Sequence, residues 1–306
     1  MTKLEQLQQK LTATRVRMGI IEATHGAKCG HPGGSLSAAD VLTYLYFKEM
    51  RIDPEHPLLP ERDRFVLSKG HCAPGLYATL AERGFFPVEK LPTLRHSSSF
   101  LQGHPNMNTV PGVDMSTGSL GQGVSTACGM ALGAKAQGSD INVYALLGDG
   151  EIEEGECWEA FMFASHHKLD NLCIIIDVNG LQIDGPTRQV MNSEPLDSKM
   201  DAFGFNTLVC QGDSFPTLEQ AFIAFHNAHG SEKPTCILLR TTKGCGVSYM
   251  ENQVDWHGKA PNDAEYEQAM QELRATYNSL EEEYNAMLEL RASEDSVEME
   301  DEQTHG

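Results

Sequence analysis

The sequence predicts an α/β protein built on a parallel sheet covered by helices on both faces, and three observations predict it. Strand-like and helix-like segments alternate through the middle of the chain. The strand candidates are continuous apolar runs rather than alternating ones; Leu172 to Asp177 contains three consecutive isoleucines. Strands of that kind are buried on both faces, which requires helices above and below. Finally, 306 residues with 40% hydrophobic content are enough for a sizeable core.

The elements follow in order. Leu4 to Ala27 is a helix, with Leu11, Val16, Met18, Ile20 and Ile21 as its apolar positions. The turn Cys29-Gly30-His31-Pro32-Gly33-Gly34 stops it. Ser35 or Ser37 can cap a next helix running through Tyr44 to about Lys48. Phe65 to Leu67 is a short strand, followed by the turn Ser68-Lys69-Gly70-His71 and a helix over 73–83. From Leu91 to Met115 periodicity fades into a long loop, and long ordered loops tend to be functional. Gly121 to Gln137 is a helix of small residues. Asn142 to Leu147 is a strand, Glu154 to His167 a helix and Leu172 to Asp177 a strand. Thr207 to Cys210, Leu218 to Ala228 and Thr235 to Arg240 complete the series as strand, helix and strand. A last helix covers about Asp263 to Leu290. Ligands of such sheets lie at the carboxyl ends of the strands, and the turns after Leu147, Asp177 and Arg240 all fall there.

Charge and cysteine usage narrow the function classes. The formal net charge is -20, which argues against nucleic acid or an anionic membrane as the main partner. From Glu281 to Gly306 there are ten acids and one Arg, a solvating stretch. No basic start precedes an apolar run, so no secretory signal is expected, and no apolar stretch reaches the ~20 residues of a membrane span. The eight cysteines are scattered singly without a CxxC, which disfavours zinc and dithiol chemistry. Reduced thiols in a cytoplasm fit this pattern, most of them, such as Cys173, serving as small core residues.

The chemistry is carried by Gly148-Asp149-Gly150, directly after a strand, and Asp177-Val178-Asn179-Gly180, ending the next one. Neighbouring parallel strands lie ~5 Å apart, or ~10 Å with one between, so Asp149 and Asn179 can converge above the sheet. Hard oxygen ligands suit Mg²⁺ or Ca²⁺, and the flanking glycines free backbone N–H groups for phosphate oxygens. A Rossmann dinucleotide turn is the competing reading. Its third glycine should stand three residues after Gly150, where Glu153 stands instead, and an Asp in the turn would repel a bare pyrophosphate unless a cation sat between. A purely structural turn is the bland reading.

A GDG turn followed about 30 residues later by Asn resembles the thiamine-diphosphate signature, and the sequence from about residue 15 to 265 resembles transketolase. The resemblance implies that Asp149, Asn179 and the main-chain carbonyl of Leu181 bind the metal, Mg²⁺ with Ca²⁺ or Mn²⁺ able to substitute. It implies that Gly148 and Gly150 meet the diphosphate and that Ile183 packs on the cofactor. Cys29-Gly30-His31-Pro32-Gly33, Ser68-Lys69-Gly70-His71 and Gly103-His104-Pro105 match the family's three histidine loops. Ser116 to Gly123, with Gly118, Ser119 and Leu120, matches the loop under the aminopyrimidine, and Asp255-Trp256-His257-Gly258 the histidine near the diphosphate. A lone His beside glycine is more often structural; four in family order beside the metal motif argue for function. Cys29 where Ser is commoner, and Ser119 where Pro is frequent, depart from the pattern and leave the substrate open.

By that resemblance the reaction cleaves a carbon–carbon bond of a ketose phosphate and passes a two-carbon unit to an aldose. Histidine has the pKa for moving protons among sugar hydroxyls near neutrality. His31 and His104 would hydrogen-bond the donor carbonyl and hydroxyls, and His71, His257 and Lys243 would lie near the diphosphate; the bland reading of Lys243 is an ordinary exposed lysine. Glu154, and less so Glu159, would link the two active sites of a dimer, although acids in a first helical turn favour the dipole anyway. Residues 1–290 would form one diphosphate-binding domain and 291–306 an acidic, disordered tail. The family's second domain, which supplies the activating glutamate and much of the sugar-phosphate site, has no counterpart pattern here. A separate C-terminal subunit in an α2β2 assembly is therefore expected. Which sugar is used stays open between pentose phosphates and specialised degradation routes. Other readings are a 1-deoxyxylulose-5-phosphate synthase-like or 2-oxo-acid dehydrogenase-like subunit, and a non-catalytic regulatory subunit.

Overall fold

The computed structural model describes the backbone of residues 1–304 and the side chains of residues 1–292. The acidic tail expected at 291–306 therefore lies almost wholly outside the described side chains. The chain runs α1 (Lys3–Ala27), α2 (Pro32–Ser37), α3 (Ala39–Tyr44), β1 (Arg64–Leu67), α4 (Ala73–Arg83), α5 (Gln122–Ala136), β2 (Val143–Gly148), α6 (Gly155–His166) and β3 (Leu172–Val178). It continues through a small hairpin β4 (Leu181–Gln182) and β5 (Gly185–Pro186), then α7 (Thr187–Val190), α8 (Leu196–Ala202), β6 (Asn206–Gln211), α9 (Phe215–Asn227), β7 (Thr235–Arg240) and α10 (Asp263–Thr304). The capping box of Thr2 and Glu5 starts α1.

Five strands form one parallel sheet in the order β1-β2-β3-β7-β6, and β4 with β5 forms a separate antiparallel pair. The expected double cover is present. Tyr144, Leu146, Cys173, Ile175, Ile237 and Leu239 face one core, shared with residues of α1, α3, α4 and α9. Val143, Ala145, Leu147, Ile174, Ile176 and Leu238 face the other, with residues of α5, α6 and α8. This is the period-two alternation of a strand buried on both sides.

Two local expectations change. The single helix foreseen up to about Lys48 is broken into α2, α3 and a π-helical turn over Leu45–Glu49. The hairpin β4–β5 and the short helices α7 and α8 have too few residues to show a period. All eight cysteines are free, and five of them are buried, Cys173 among them. No helix among the described residues is long and apolar enough to cross a membrane.

Candidate active site

The site stands at the carboxyl ends of β1, β2, β3 and β7. β2 and β3 are direct neighbours, with Gly148 opposite Asp177 in the register. Their two turns therefore meet: Asp149 Oδ2 accepts from the Gly180 N–H at 2.6 Å, and Asp149 Oδ1 from the Gly150 N–H at 3.0 Å. Asn179 Oδ1 accepts from the Leu181 N–H at 3.1 Å. Asp149 is 3% exposed. Burial, and then the neighbouring Asp177, pushes its carboxyl up to about 7. An anion held there against its preference is short of positive charge, and the Asp149 carboxylate, the Asn179 amide oxygen and the Leu181 carbonyl are the hard donors a Mg²⁺-type ion takes. The residues fit such an ion.

Asp177, at the end of β3, is fully buried and organises the floor. Its Oδ2 accepts from Lys69 Nζ at 2.5 Å, Ser37 Oγ at 2.6 Å and Asn179 Nδ2 at 3.0 Å, and the Thr241 hydroxyl donates to Oδ1. Burial opposes both charges of the Lys69–Asp177 pair, but mutual attraction overrides it: the lysine is raised and the aspartate lowered. Glu151 plays a similar part beside the GDG turn. Its carboxylate accepts from Ser68 Oγ at 2.5 Å, from the Gly121 N–H at 3.1 Å and from the Gly148 N–H at 3.1 Å. It thereby ties the turns after β1 and β2 to the start of α5.

Lys243 follows β7 and is 2% exposed, which excludes an ordinary surface lysine. Its ammonium donates to the Leu181 carbonyl at 2.9 Å and to His257 Nδ1 at 2.8 Å. That bond makes Nδ1 of His257 the acceptor and leaves Nε2 as the N–H. The rings of His31, His71 and His257 form a triangle with centroids 5.1, 5.5 and 5.2 Å apart. Burial foremost, and then neighbouring cationic and histidine groups, lowers His31 and His71 to about 4 and His257 to about 3. Lys243 is lowered by burial as well. One lysine ammonium beside three neutral imidazoles with N–H groups to donate suits an anionic ligand such as a diphosphate. The buried Nδ1 of His31 has no hydrogen-bond partner among the described residues.

A cavity of about 200 Å³ lies among these groups. Of the residues foreseen, His71, Leu120, Gly148, Gly150, Asn179, Leu181, Ile183, Lys243 and His257 line it. His31 closes it through its contacts with His71 and His257, and Asp149 is sealed beneath. Ile183 sits 63% exposed at the tip of the β4–β5 hairpin, on the rim of the cavity. Gly118 and Ser119 belong to a loop packed hard on the turn after β1: a Cβ on Gly70 would stand 2.7 Å from the Gly118 nitrogen. The same loop supports His104, whose ring lies 3.0 Å from where a Gly118 Cβ would be. His104 is exposed at the mouth, its pKa lowered by burial and by Arg95. Glu154 and Glu159 do not join the cavity; both are exposed on α6 and its N-cap. Sequence reasoning missed Lys69, Asp177 and Glu151. The available signal was a charged residue at the carboxyl end of an apolar strand or within the turn that follows, where burial demands a partner.

The comparisons with known proteins agree with this geometry. The family model described as the transketolase thiamine diphosphate binding domain matches residues 8–302. A curated relative from Actinobacillus succinogenes, one of the subunits of an apulose-4-phosphate transketolase, is 42% identical over 88% of this chain and 96% of its own. Another, a subunit of a 6-deoxy-6-sulfo-D-fructose transketolase from a Clostridium strain, is 42% identical over 88% of this chain and 97% of its own. Among solved structures, the transketolase of Campylobacter jejuni superposes with a TM-score of 0.79 at 30% identity, over 96% of this chain and 50% of that one. The chain thus spans nearly the whole of the subunit relatives and about half of the solved transketolase.

Proposed function

The chain belongs to the transketolase family, and from that premise we propose that it is the N-terminal subunit of a two-chain transketolase. It transfers a two-carbon ketol unit from a ketose to an aldose, in the cytoplasm, with a separate C-terminal subunit completing the site in an α2β2 assembly. The subunit relatives support this reading, since each aligns with this chain over almost its whole length. The sugars in their names each carry a strong-acid group, a phosphate or a sulfonate, so the substrate class proposed here is a short sugar with such an anion, sugar phosphates of the pentose type included. The synthase-like, dehydrogenase-like and regulatory readings are not favoured.

Residues 1–290 hold thiamine diphosphate and its metal ion in this reading. Asp149, Asn179 and the Leu181 carbonyl would hold Mg²⁺. Gly148, Gly150, His71, His257 and Lys243 would face the diphosphate, and Gly118, Ser119, Leu120 and Ile183 the rings. When bound, the cofactor supplies a carbon nucleophile and an electron sink. The remaining work falls to the chain. His31 and His104 are neutral at neutral pH, so each can accept a proton from a sugar hydroxyl and return it. His31 packs edge-on against His71 and His257. Glu154 and Glu159, exposed at the start of α6, would link the two active sites of a dimer in this reading.

The observation that carries the reading is the convergence of Asp149, Asn179 and the Leu181 carbonyl against Lys243 and His257. The test is reconstitution. The chain mixed with its partner subunit, thiamine diphosphate and Mg²⁺ should transfer ketol units from a ketose phosphate, and neither chain alone should. Turnover by this chain alone would overturn the two-chain reading.

A further inference from the structure

Lys243 follows β7 on a loop whose tip is Lys243-Gly244-Cys245-Gly246. Gly244 and Gly246 are both left-handed, φ 79° and 93°, a conformation that glycine adopts without cost. The tip is tied outward at two points. The Gly244 N–H donates to the Gly33 carbonyl at 3.0 Å, in the turn that carries His31. The Cys245 carbonyl accepts from Arg17 Nε at 3.1 Å.

Arg17 lies in α1 and is 8% exposed. Its Nη1 donates to Asp40 Oδ1 at 3.1 Å and its Nη2 to Asp40 Oδ2 at 2.5 Å. Asp40 is buried at the start of α3, three residues after Ser37, which donates to Asp177 in the floor. The fit to the loop is close: a Cβ on Gly246 would stand 2.9 Å from Arg17 Cδ and 3.1 Å from Nε. A buried ion pair is a poor device for stability alone, because desolvation offsets the attraction and apolar residues of similar volume often do as well. What the arginine adds is direction. Its planar fork fixes Nε once both terminal nitrogens are engaged, and Nε in turn fixes the Cys245 carbonyl, two residues from Lys243.

We propose that Arg17 is a positioning residue for Lys243. Paired with Asp40, it holds the Cys245 carbonyl and so keeps the Lys243 ammonium on the Leu181 carbonyl and His257 Nδ1. Its effect on the reaction rests on the reading of Lys243 as a diphosphate partner; the clamp itself does not. Arg17 lines no part of the cofactor cavity. It faces a different cleft, of about 280 Å³, with Lys10, Thr14, Asp40, Cys245 and Gly246, so its replacement leaves the cavity walls chemically unaltered.

Two measurements separate the clamp from the reaction. Arg17→Lys keeps a cation for Asp40 but loses the fork. In the reconstituted complex it should raise the KM for thiamine diphosphate about tenfold, with kcat at saturating cofactor near the wild-type value. An unchanged KM overturns the role toward the cofactor. Arg17→Met combined with Asp40→Ala removes the pair without stranding a charge. It should melt near the wild type and show the same rise in KM; a rise that comes only with a lowered melting temperature makes Arg17 structural and overturns the proposal. Independently, amide hydrogen exchange over 241–252 is followed in the full chain without cofactor or partner. The Gly244 and Asn252 N–H groups, bonded to the Gly33 and Lys243 carbonyls, should exchange about tenfold faster in both variants. Unchanged protection overturns the clamp whatever the enzyme's reaction. Faster exchange with an unchanged KM leaves a clamp that does not serve the cofactor and overturns the link to Lys243. Failure of the wild-type complex to bind thiamine diphosphate, with exchange quickened in the variants, would refute the proposed function and leave the clamp standing.

Discussion

Asn179 donates its side-chain amide to Asp177 Oδ2 at 3.0 Å. The bond fixes which end of the amide points down into the floor and turns Oδ1 toward the loop that carries Leu181. Asp177 thus sets the orientation of a proposed metal donor without being one, and its own position is set by Lys69, Ser37 and Thr241. Partners of this kind typically change metal affinity 10–100-fold when removed.

Asp177→Ala removes the counter-charge of a lysine that is 2% exposed. Breaking a buried pair by deleting one member costs about 3–5 kcal/mol, because the remaining charge is left uncompensated. Urea unfolding should show a loss of that size. A loss below about 1 kcal/mol would mean that Lys69 finds other partners and that the floor is not held by this pair. Asp177→Ala paired with Lys69→Met should recover part of the stability, since an apolar replacement of both members is often neutral.

Asp149→Asn should separate stability from function. The carboxyl is pushed up to about 7 by burial and Asp177, whereas the unfolded chain ionises near 4. A raised folded pKa means that the ionised form costs stability above the unfolded pKa, so the neutral amide should be more stable at pH 8 by on the order of 1–2 kcal/mol. Calorimetry on the reconstituted complex should show Mg²⁺-dependent binding of thiamine diphosphate lost in the same variant. Undiminished affinity would remove Asp149 from the metal site.

The legible part of this site was the part that repeats a pattern in sequence. The GDG turn and Asn179 stand at strand ends, and the structure brings Asp149 and Asn179 together as the strand spacing suggested; Leu181, His31, His71, His257 and Lys243 gather beside them as the family resemblance implied. The double-covered sheet was legible because continuous apolar strands have one stable environment. What stayed hidden depends on distant partners. Asp177 looked like the end of a strand because Lys69 lies 108 positions away. The bond of Arg17 to the Cys245 carbonyl spans 228 positions, a relation that no periodicity records. The π-helical turn at Leu45–Glu49 breaks a run whose apolar pattern reads as continuous helix.

Acid should weaken the fold through the histidine triangle. His71 falls to about 4 through burial and Lys69, while the unfolded side chain titrates near 6.5. Between those values the unfolded state binds a proton that the folded state refuses, so stability falls as pH drops from about 6.5 toward 4. Asp149, with its raised pKa, works in the opposite direction over the same range, so the total slope mixes signs. The difference between wild type and His71→Gln cancels the other groups. Measured by unfolding at pH 8 and pH 5, any advantage of the wild type over the variant should shrink in acid. A difference independent of pH would mean that His71 titrates normally in the fold.

Two glycines give opposite outcomes for one substitution. A Cβ on Gly70 would meet the Gly118 nitrogen at 2.7 Å, Thr117 Oγ1 at 2.8 Å and Gly118 Cα at 2.9 Å. Two of those atoms are backbone and cannot swing aside, and the Thr117 hydroxyl is engaged with the Leu67 carbonyl at 2.7 Å. Gly70→Ala must therefore push the 116–121 loop off the turn after β1, at a cost of about 1–3 kcal/mol for overpacking. Because that loop carries Gly118, Ser119 and Leu120, cofactor affinity in the reconstituted complex should drop as well. Gly129 lies within α5 with nothing inside 4 Å of its added Cβ. There Gly129→Ala only restricts the unfolded chain and should raise stability of the isolated chain by about 0.5–1 kcal/mol. Thermal unfolding of the two variants side by side checks both. Equal effects would show that the close approach of Gly70 to the loop is not what holds the loop in place.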